Sequence, residues 1–260
     1  MPDPTIDIPA RLREAVAHYW NTRGSQGVKQ GVKGIKDAGQ RSSVTGGKQL
    51  DGFARLLCDL LVAEGIDRKN IFYEGRGFHT IPGFYRPTKD WDLLVIADGQ
   101  LWIAVELKSQ VGPSFGNNYN NRVEEGLGNA ADIRTAYSKQ TFGTVSPFVG
   151  YLLLLEDCDG CHGPVRVSEN HFPIRAEFRD HSYIAVDKPM SLSYAQRYEM
   201  FCRKVVQEGV YDAAAFMLAS KQNAQTGIYT EPAADLAFTR LAAAMLGKAH
   251  EYFMVKKLEG

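Results

Sequence analysis

The stretch WDLLVIADGQLWIAVELK, residues 91–108, decides how this chain is read. Asp92 opens an apolar run, Ala97-Asp98-Gly99-Gln100 makes a turn, and a second apolar run ends in Glu106-Leu107-Lys108. Short unbroken apolar runs bounded by turn residues suit strands covered on both faces. Asp-Gly between two such runs signals a hairpin. Glu106 and Lys108 are two residues apart and share a face. Two carboxylates and an ammonium at the end of an apolar hairpin are costly to hold unless something uses them. A divalent cation and a phosphate would: Mg²⁺ is held by one or two carboxylates, it activates water and braces a leaving oxygen, and a lysine beside it orients or deprotonates that water. Asp92 and Glu106 are the candidate ligands, joined by the backbone carbonyl of Leu107, with Lys108 on the nucleophile. On spacing alone, a solvated Glu–Lys pair at a strand end fits as well.

The hairpin contains its own test. With a two-residue loop, Asp98-Gly99, Asp92 falls opposite Val105 and Glu106 points away from it. With a three-residue loop, Asp98-Gly99-Gln100, Asp92 falls opposite Glu106. One residue of register decides the face. Convergence therefore predicts a three-residue loop, or a β-bulge between Asp92 and Val105.

Outward from the hairpin, the pattern predicts helices over 9–21, 49–64, 123–139, 193–209 and 233–252, and strands over 70–73 and 148–155. Residues 74–89 read as irregular and 109–122 as a polar loop. The order predicts an α/β fold with a central mixed β-sheet flanked by helices, in one domain over 1–260. Within it, 10–48 hold an N-terminal helix and a basic loop, 49–155 the catalytic core, and 156–260 a helical C-terminal part.

The composition, 44% hydrophobic and 23% charged in 260 residues, fits a globular chain with a sizeable core. No stretch reaches the ~20 apolar residues of a membrane span. No secretion signal is visible, so the four cysteines imply free thiols and a cytoplasmic location. Net charge is zero, yet residues 21–50 hold six bases, Arg23, Lys29, Lys33, Lys36, Arg41 and Lys48, against Asp37 alone, with seven glycines. Such a loop can lay amides and cations on phosphates, or can simply be solvated. Arg86 and Lys89, just before the hairpin, are further candidates for phosphate contacts.

Asp51, at the start of the second helix, is a candidate ligand of a second ion, although an acid favourably placed at a helix N-terminus is the better explanation of it. The segment VGPSFGNNYNNRVEEG, residues 111–126, offers Asn117, Asn118, Asn120, Asn121 and Arg122, side-chain types that read adenine and guanine edges. Asn and Gly also simply make turns. Cys158-Asp-Gly-Cys161-His162 matches a c-type haem attachment pattern, but no export signal or second axial ligand accompanies it. A zinc site would need two more ligands, so the thiols read as free.

The block TIPGFYRPTKDWDLLVIADGQLWIAVELKSQVGPSFGNNYNNRVEEGLGNAAD resembles type II restriction endonucleases of the XhoI family, with support from GGKQLDGF, FVGYLLLLEDC, NHFPIRAEF and RYEMFCRKVV. The resemblance runs from about residue 10 to about residue 210. It implies a PD-(D/E)XK nuclease core, with Trp91 at the proline-like position and Asp92, Glu106 and Lys108 at the catalytic ones. It implies a Mg²⁺ requirement that Mn²⁺ can meet, a homodimer, and cleavage of double-stranded DNA at a palindromic CTCGAG-type site to leave 5′-phosphates. The setting implied is a prokaryotic cell in which a companion DNA methyltransferase acts on the same site. A structure-specific or repair nuclease of the same fold, and a non-catalytic DNA-binding module, are the alternatives.

Overall fold

The computed structural model describes residues 6–32, 47–75, 77–181 and 190–259. Nine strands occur among them: β1 (Ile71–Phe72), β2 (Thr80–Pro82), β3 (Thr88–Asp90), β4 (Leu93–Ala97), β5 (Gln100–Gln110), β6 (Phe148–Glu156), β7 (Val165–Arg166), β8 (Met190–Ser191) and β9 (Ala213–Ala219). The helices are α1 (Ile8–Val32), α2 (Asp51–Ala63), α3 (Phe115–Ser138), the single turn α4 (Asp159–His162), α5 (Tyr194–Gln207) and α6 (Phe238–Glu259). The main sheet has the order β1-β4-β5-β6-β9. Its first two pairings are antiparallel and its last two, β5/β6 and β6/β9, are parallel. The expected mixed α/β architecture is therefore present.

Alternation along the strands sends side chains to two separate cores. One face, with Leu93, Val95, Val105, Leu107, Leu152 and Leu154, packs on α1, α2 and α6. The other, with Leu94, Ala104, Tyr151, Leu153 and Phe216, packs on α3 and α5. The parallel strands must be apolar on both faces, and all but the last residue of β6 are buried. In α1, Leu12, Val16, Tyr19 and Trp20 all point inward. No helix among the described residues is long and apolar enough to cross a membrane.

Five expectations change. The first helix does not end near residue 21: α1 runs on to Val32, so the first part of the basic segment 21–50 is helix and not loop. The polar loop is short: β5 runs to Gln110 and α3 already begins at Phe115, so Asn117–Arg122 lie on a helix. The irregular stretch 74–89 holds a small hairpin, β2 paired with β3. The last helix starts at Phe238, whose N–H donates to Glu231 Oε1 at 2.6 Å; a 3₁₀ turn occupies 234–236. Strand β9, AAAFMLA, went unread because alanine favours helices. All seven residues are buried, and contact on both faces overrides that preference.

Leu152 is fully buried at the middle of β6. Leu152→Ala is expected to cost about 2–5 kcal/mol, read as a lower midpoint in chemical denaturation.

Candidate active site at the end of the central hairpin

The hairpin loop is the two residues Asp98-Gly99, with Ala97 paired to Gln100 and Ile96 to Leu101. Both loop residues take positive φ, +53° and +73°, as a type I′ turn requires. The three-residue loop is thus not formed, but the alternative is. The register shifts between Val95 and Ile96, so that Val95 pairs with Ile103 and Leu93 with Val105. Trp102 is the extra residue: it and Ile103, consecutive in sequence, both enter the core under α6, while Leu101 and Ala104 enter the other. The Trp102 ring meets Tyr252 edge-on, with centroids 5.0 Å apart. Beyond the bulge, Asp92 falls across from Glu106. Its Oδ2 accepts the N–H of Leu107 at 2.7 Å. In a strand, the N–H and C=O of one residue point to the same side, so the Leu107 carbonyl faces Asp92 as well.

Glu106 is 1% exposed. Its Oε2 accepts from Lys89 Nζ at 2.6 Å, its Oε1 from Asn129 Nδ2 at 3.0 Å, and Lys108 pairs with Oε1. Lys89 Nζ also lies 4.4 Å from the centre of the Trp91 ring. The two carboxylates are held differently. Burial and then the Glu106 charge push Asp92 up to about 6, against the pull of Lys108, the Leu107 N–H and Lys89. Burial also works against ionised Glu106, but Lys108 and Lys89 outweigh it and hold the group below the usual carboxylate range. Burial disfavours the charged form of Lys108, and Glu106 and Asp92 overcome it, raising that amine. Two carboxylates in one buried cleft, one of them kept from ionising freely, are a donor set suited to a hard divalent cation.

Of the other candidates, Lys89 bonds Glu106 directly and Arg86 reaches it through Asn129. Arg86 donates from Nε to Asp132 Oδ2 at 2.7 Å and from NH2 to Asn129 Oδ1 at 2.8 Å. Asn117, Asn120 and Asn121 lie on the exposed side of α3, Asn118 is half-buried, and Arg122 pairs with Glu125 at 2.7 Å. Asn117 also lines a groove of about 510 Å³ with Phe115, Cys158 and Tyr194. The charges that weigh most on Asp51 are His18, Glu74, Lys48 and Arg55, none of them in the Asp92–Glu106–Lys108 group. Lys48 is exposed, and its carbonyl lies 2.9 Å from His18 Nε2. Arg41, Lys33 and Lys36 lie outside the described residues.

The four thiols are free, as expected. Asp157, Cys161 and His162 bring ligand atoms within 4.8 Å of one another. His162 and Asp157 already bond each other at 2.6 Å. Cys161 is fully buried, and burial pushes its thiol up to about 11.

Two residues that support the site escaped the reading of the sequence: Asn129, which bonds Glu106, and Asp132, which holds Arg86. Each is buried on α3 beside Ala130 and Ile133. Polar residues on the inward stripe of a helix are the signal that was there to find.

The family model described as restriction endonuclease XhoI matches residues 29–231. The chain belongs to the XhoI restriction endonuclease family. It is 47% identical over 207 residues to the type II restriction enzyme BstVI of Geobacillus stearothermophilus, covering 77% of this chain and 87% of that one. It is 41% identical over 204 residues to the type II restriction enzyme XhoI of Xanthomonas vasicola, covering 78% and 76%. It is 43% identical over 176 residues to the type II restriction enzyme AbrI of Azospirillum brasilense, covering 67% and 78%. No solved structure matches significantly. The span shared with the family model contains every strand and the whole Asp92–Glu106–Lys108 site, and stops short of α6.

The opposite shifts of the two carboxylates give opposite expectations for metal-free protein. Asp92 is raised, so the folded state holds its proton more tightly. That contribution is complete below about pH 4 and is lost as pH rises through about 6. At pH 8 in EDTA, Asp92→Asn should therefore melt higher than wild type, by on the order of 1 kcal/mol, with the advantage shrinking towards pH 4. Glu106→Gln should melt lower, because two ammonium groups lose their counter-charge, at a cost of about 3–5 kcal/mol.

Proposed function

We propose that this chain is a Mg²⁺-dependent type II endonuclease of the PD-(D/E)XK kind. On this reading it acts as a homodimer on double-stranded DNA, cutting a palindromic CTCGAG-type site to leave 5′-phosphate ends. The observation that carries the reading is the bulge-set register, which faces Asp92 with Glu106 and keeps Lys108 beside them. The antiparallel hairpin followed by a helix and a parallel strand supports the nuclease core. The 41% identity to the enzyme XhoI over three quarters of both chains supports the target.

Bound Mg²⁺, which Mn²⁺ can replace, supplies charge to offset the phosphoryl oxygens and acidifies a water. Asp92, Glu106 and the Leu107 carbonyl are the residues that would hold it. Lys108 directs its N–H groups to the attacking water and the phosphate. Lys89, on the other oxygen of Glu106, keeps that carboxylate ionised and oriented. Exposed Asn117, Asn120 and Asn121 present amides that can pair with base edges. Asn118, Arg122, Arg41 and Lys48 complete the set proposed for DNA, Arg86 and Lys89 being turned onto Asp132, Asn129 and Glu106 instead, and Asp51 is the candidate for a second ion. A two-fold dimer matches a two-fold target, each protomer cutting one strand. A methyltransferase acting on the same sequence would protect the host, and the bacterial cytoplasm is the compartment where the two would meet.

Plasmid DNA with one CTCGAG site should be linearised in Mg²⁺ and left intact in EDTA, with end mapping placing both cuts inside that site. Asp92→Ala and Glu106→Ala should each lower cleavage more than about a thousandfold, equivalent to roughly 4 kcal/mol of barrier, while duplex binding persists. Cutting without a fixed site would replace this reading with a structure-specific nuclease. Unimpaired cleavage by either variant would remove these carboxylates from the chemistry.

A further inference from the structure

The bonds that hold Glu106 continue beyond it. Asn129 donates to Glu106 through Nδ2 and accepts Arg86 on Oδ1. Arginine only donates, so this contact fixes which end of the amide faces the carboxylate. Arg86 is held in turn by Asp132, whose Oδ1 accepts the backbone N–H groups of Phe84 and Tyr85 at 2.7 and 2.8 Å. Asn129 and Asp132 are one turn apart on α3 and almost fully buried. The loop sits so close that a Cβ at Gly83 would lie 2.4 Å from Asp132 Oδ2.

The tip of that loop carries two aromatic rings in solvent. Phe84 is 49% and Tyr85 71% exposed, and the rings meet edge-on with centroids 4.9 Å apart. A tip whose backbone is tied to a buried carboxylate gives up conformational freedom, while its two rings gain little burial in return. Duplex DNA offers the missing surface, because aromatic side chains stack on bases or wedge between base steps. The same carboxylate that sets the tip also sets Arg86, and through Asn129 it orients Glu106.

We propose that the Phe84–Tyr85 tip contacts the DNA duplex, and that Asp132, Arg86 and Asn129 couple its seating to the orientation of Glu106. The tip is a binding element and Asn129 a positioning residue. The inference rests on the reading of Glu106 as a catalytic carboxylate.

A double-mutant cycle tests it, because coupled residues give effects that do not combine independently. Four full-length proteins are compared: wild type, Phe84→Ala with Tyr85→Ala, Asn129→Ala, and all three changes together. Binding of a CTCGAG duplex is measured with Ca²⁺ in place of Mg²⁺, and single-turnover cleavage with Mg²⁺. The tip variant should bind about tenfold more weakly and cut more slowly even at saturating protein. Asn129→Ala should bind within about twofold of wild type and cut about a hundredfold more slowly, as a small misplacement of a reacting group costs. In the triple variant, removing the tip should add little further loss of rate. Unchanged binding by the tip variant overturns the contact, and rate losses that simply multiply overturn the coupling. If Asn129→Ala does not fold, Arg86→Lys takes its place, since lysine keeps the charge but cannot bridge Asp132 and Asn129. A wild-type chain that cuts no DNA sinks the proposed function and this inference together, whereas a cutting wild type with multiplying losses sinks the inference alone.

Discussion

A single buried carboxylate organises this end of the molecule. Glu106 sits at 1% exposure, where an isolated charge would cost several kcal/mol. It is tolerated because three donors reach it from three parts of the chain. Lys108 comes from its own strand, Lys89 from the small hairpin before it, and Asn129 from the helix after it. Satisfying one side chain therefore fixes β3, β5 and α3 relative to one another. Asp92 pays the complementary cost: with the donors drawn to Glu106, it keeps one backbone N–H and a like-charged neighbour. Neighbouring carboxylates whose proton affinities are driven apart are a recurrent mark of catalytic sites.

The convergence of those carboxylates depends on a residue far from the chemistry. The turn at Asp98-Gly99 is the one its sequence favours, and by itself it would leave Asp92 and Glu106 on opposite faces. Trp102 corrects this by taking two positions' worth of strand on one side of the ladder. Its ring has a place to go, against Tyr252 of α6, and that packing is what makes the irregular backbone affordable. The need for a correction was legible in the sequence, since the chemistry demanded a face that the turn denied. Its location was not, because it depended on a helix 150 residues further on.

The rest divides along the same physical line. Elements whose burial is set by their own pattern, such as α1, α2, β6 and α5, could be read from apolar spacing. Elements set by what packs on them could not. The alanines of β9 are strand only because β6 and two helical layers enclose them. The asparagines at the start of α3 carry turn chemistry, yet Phe115 and Gly126 anchor a helix through them. In the site, Asp92, Glu106 and Lys108 were legible because charge at the end of an apolar run is costly. Asn129 and Asp132 were passed over because a neutral amide and an acid on a helix look like surface until the inward stripe is drawn.

Arg86 and Lys89 show how position changes the meaning of a charge. Read along the chain, they are basic residues next to the motif proposed to cut the phosphodiester, and suit phosphate contacts. In the fold, Lys89 is only 10% exposed on Glu106, and Arg86 joins Asp132 to Asn129. Two carboxylates, Asp92 and Glu106, are thus balanced by two ammonium groups, Lys89 and Lys108, before any ligand arrives. On the proposed reading, a cation would bring positive charge into this balanced set, and the phosphate of a substrate would bring the negative charge that offsets it. The site is therefore better suited to the two together than to either alone, and the chain needs no overall positive charge to favour DNA at this point.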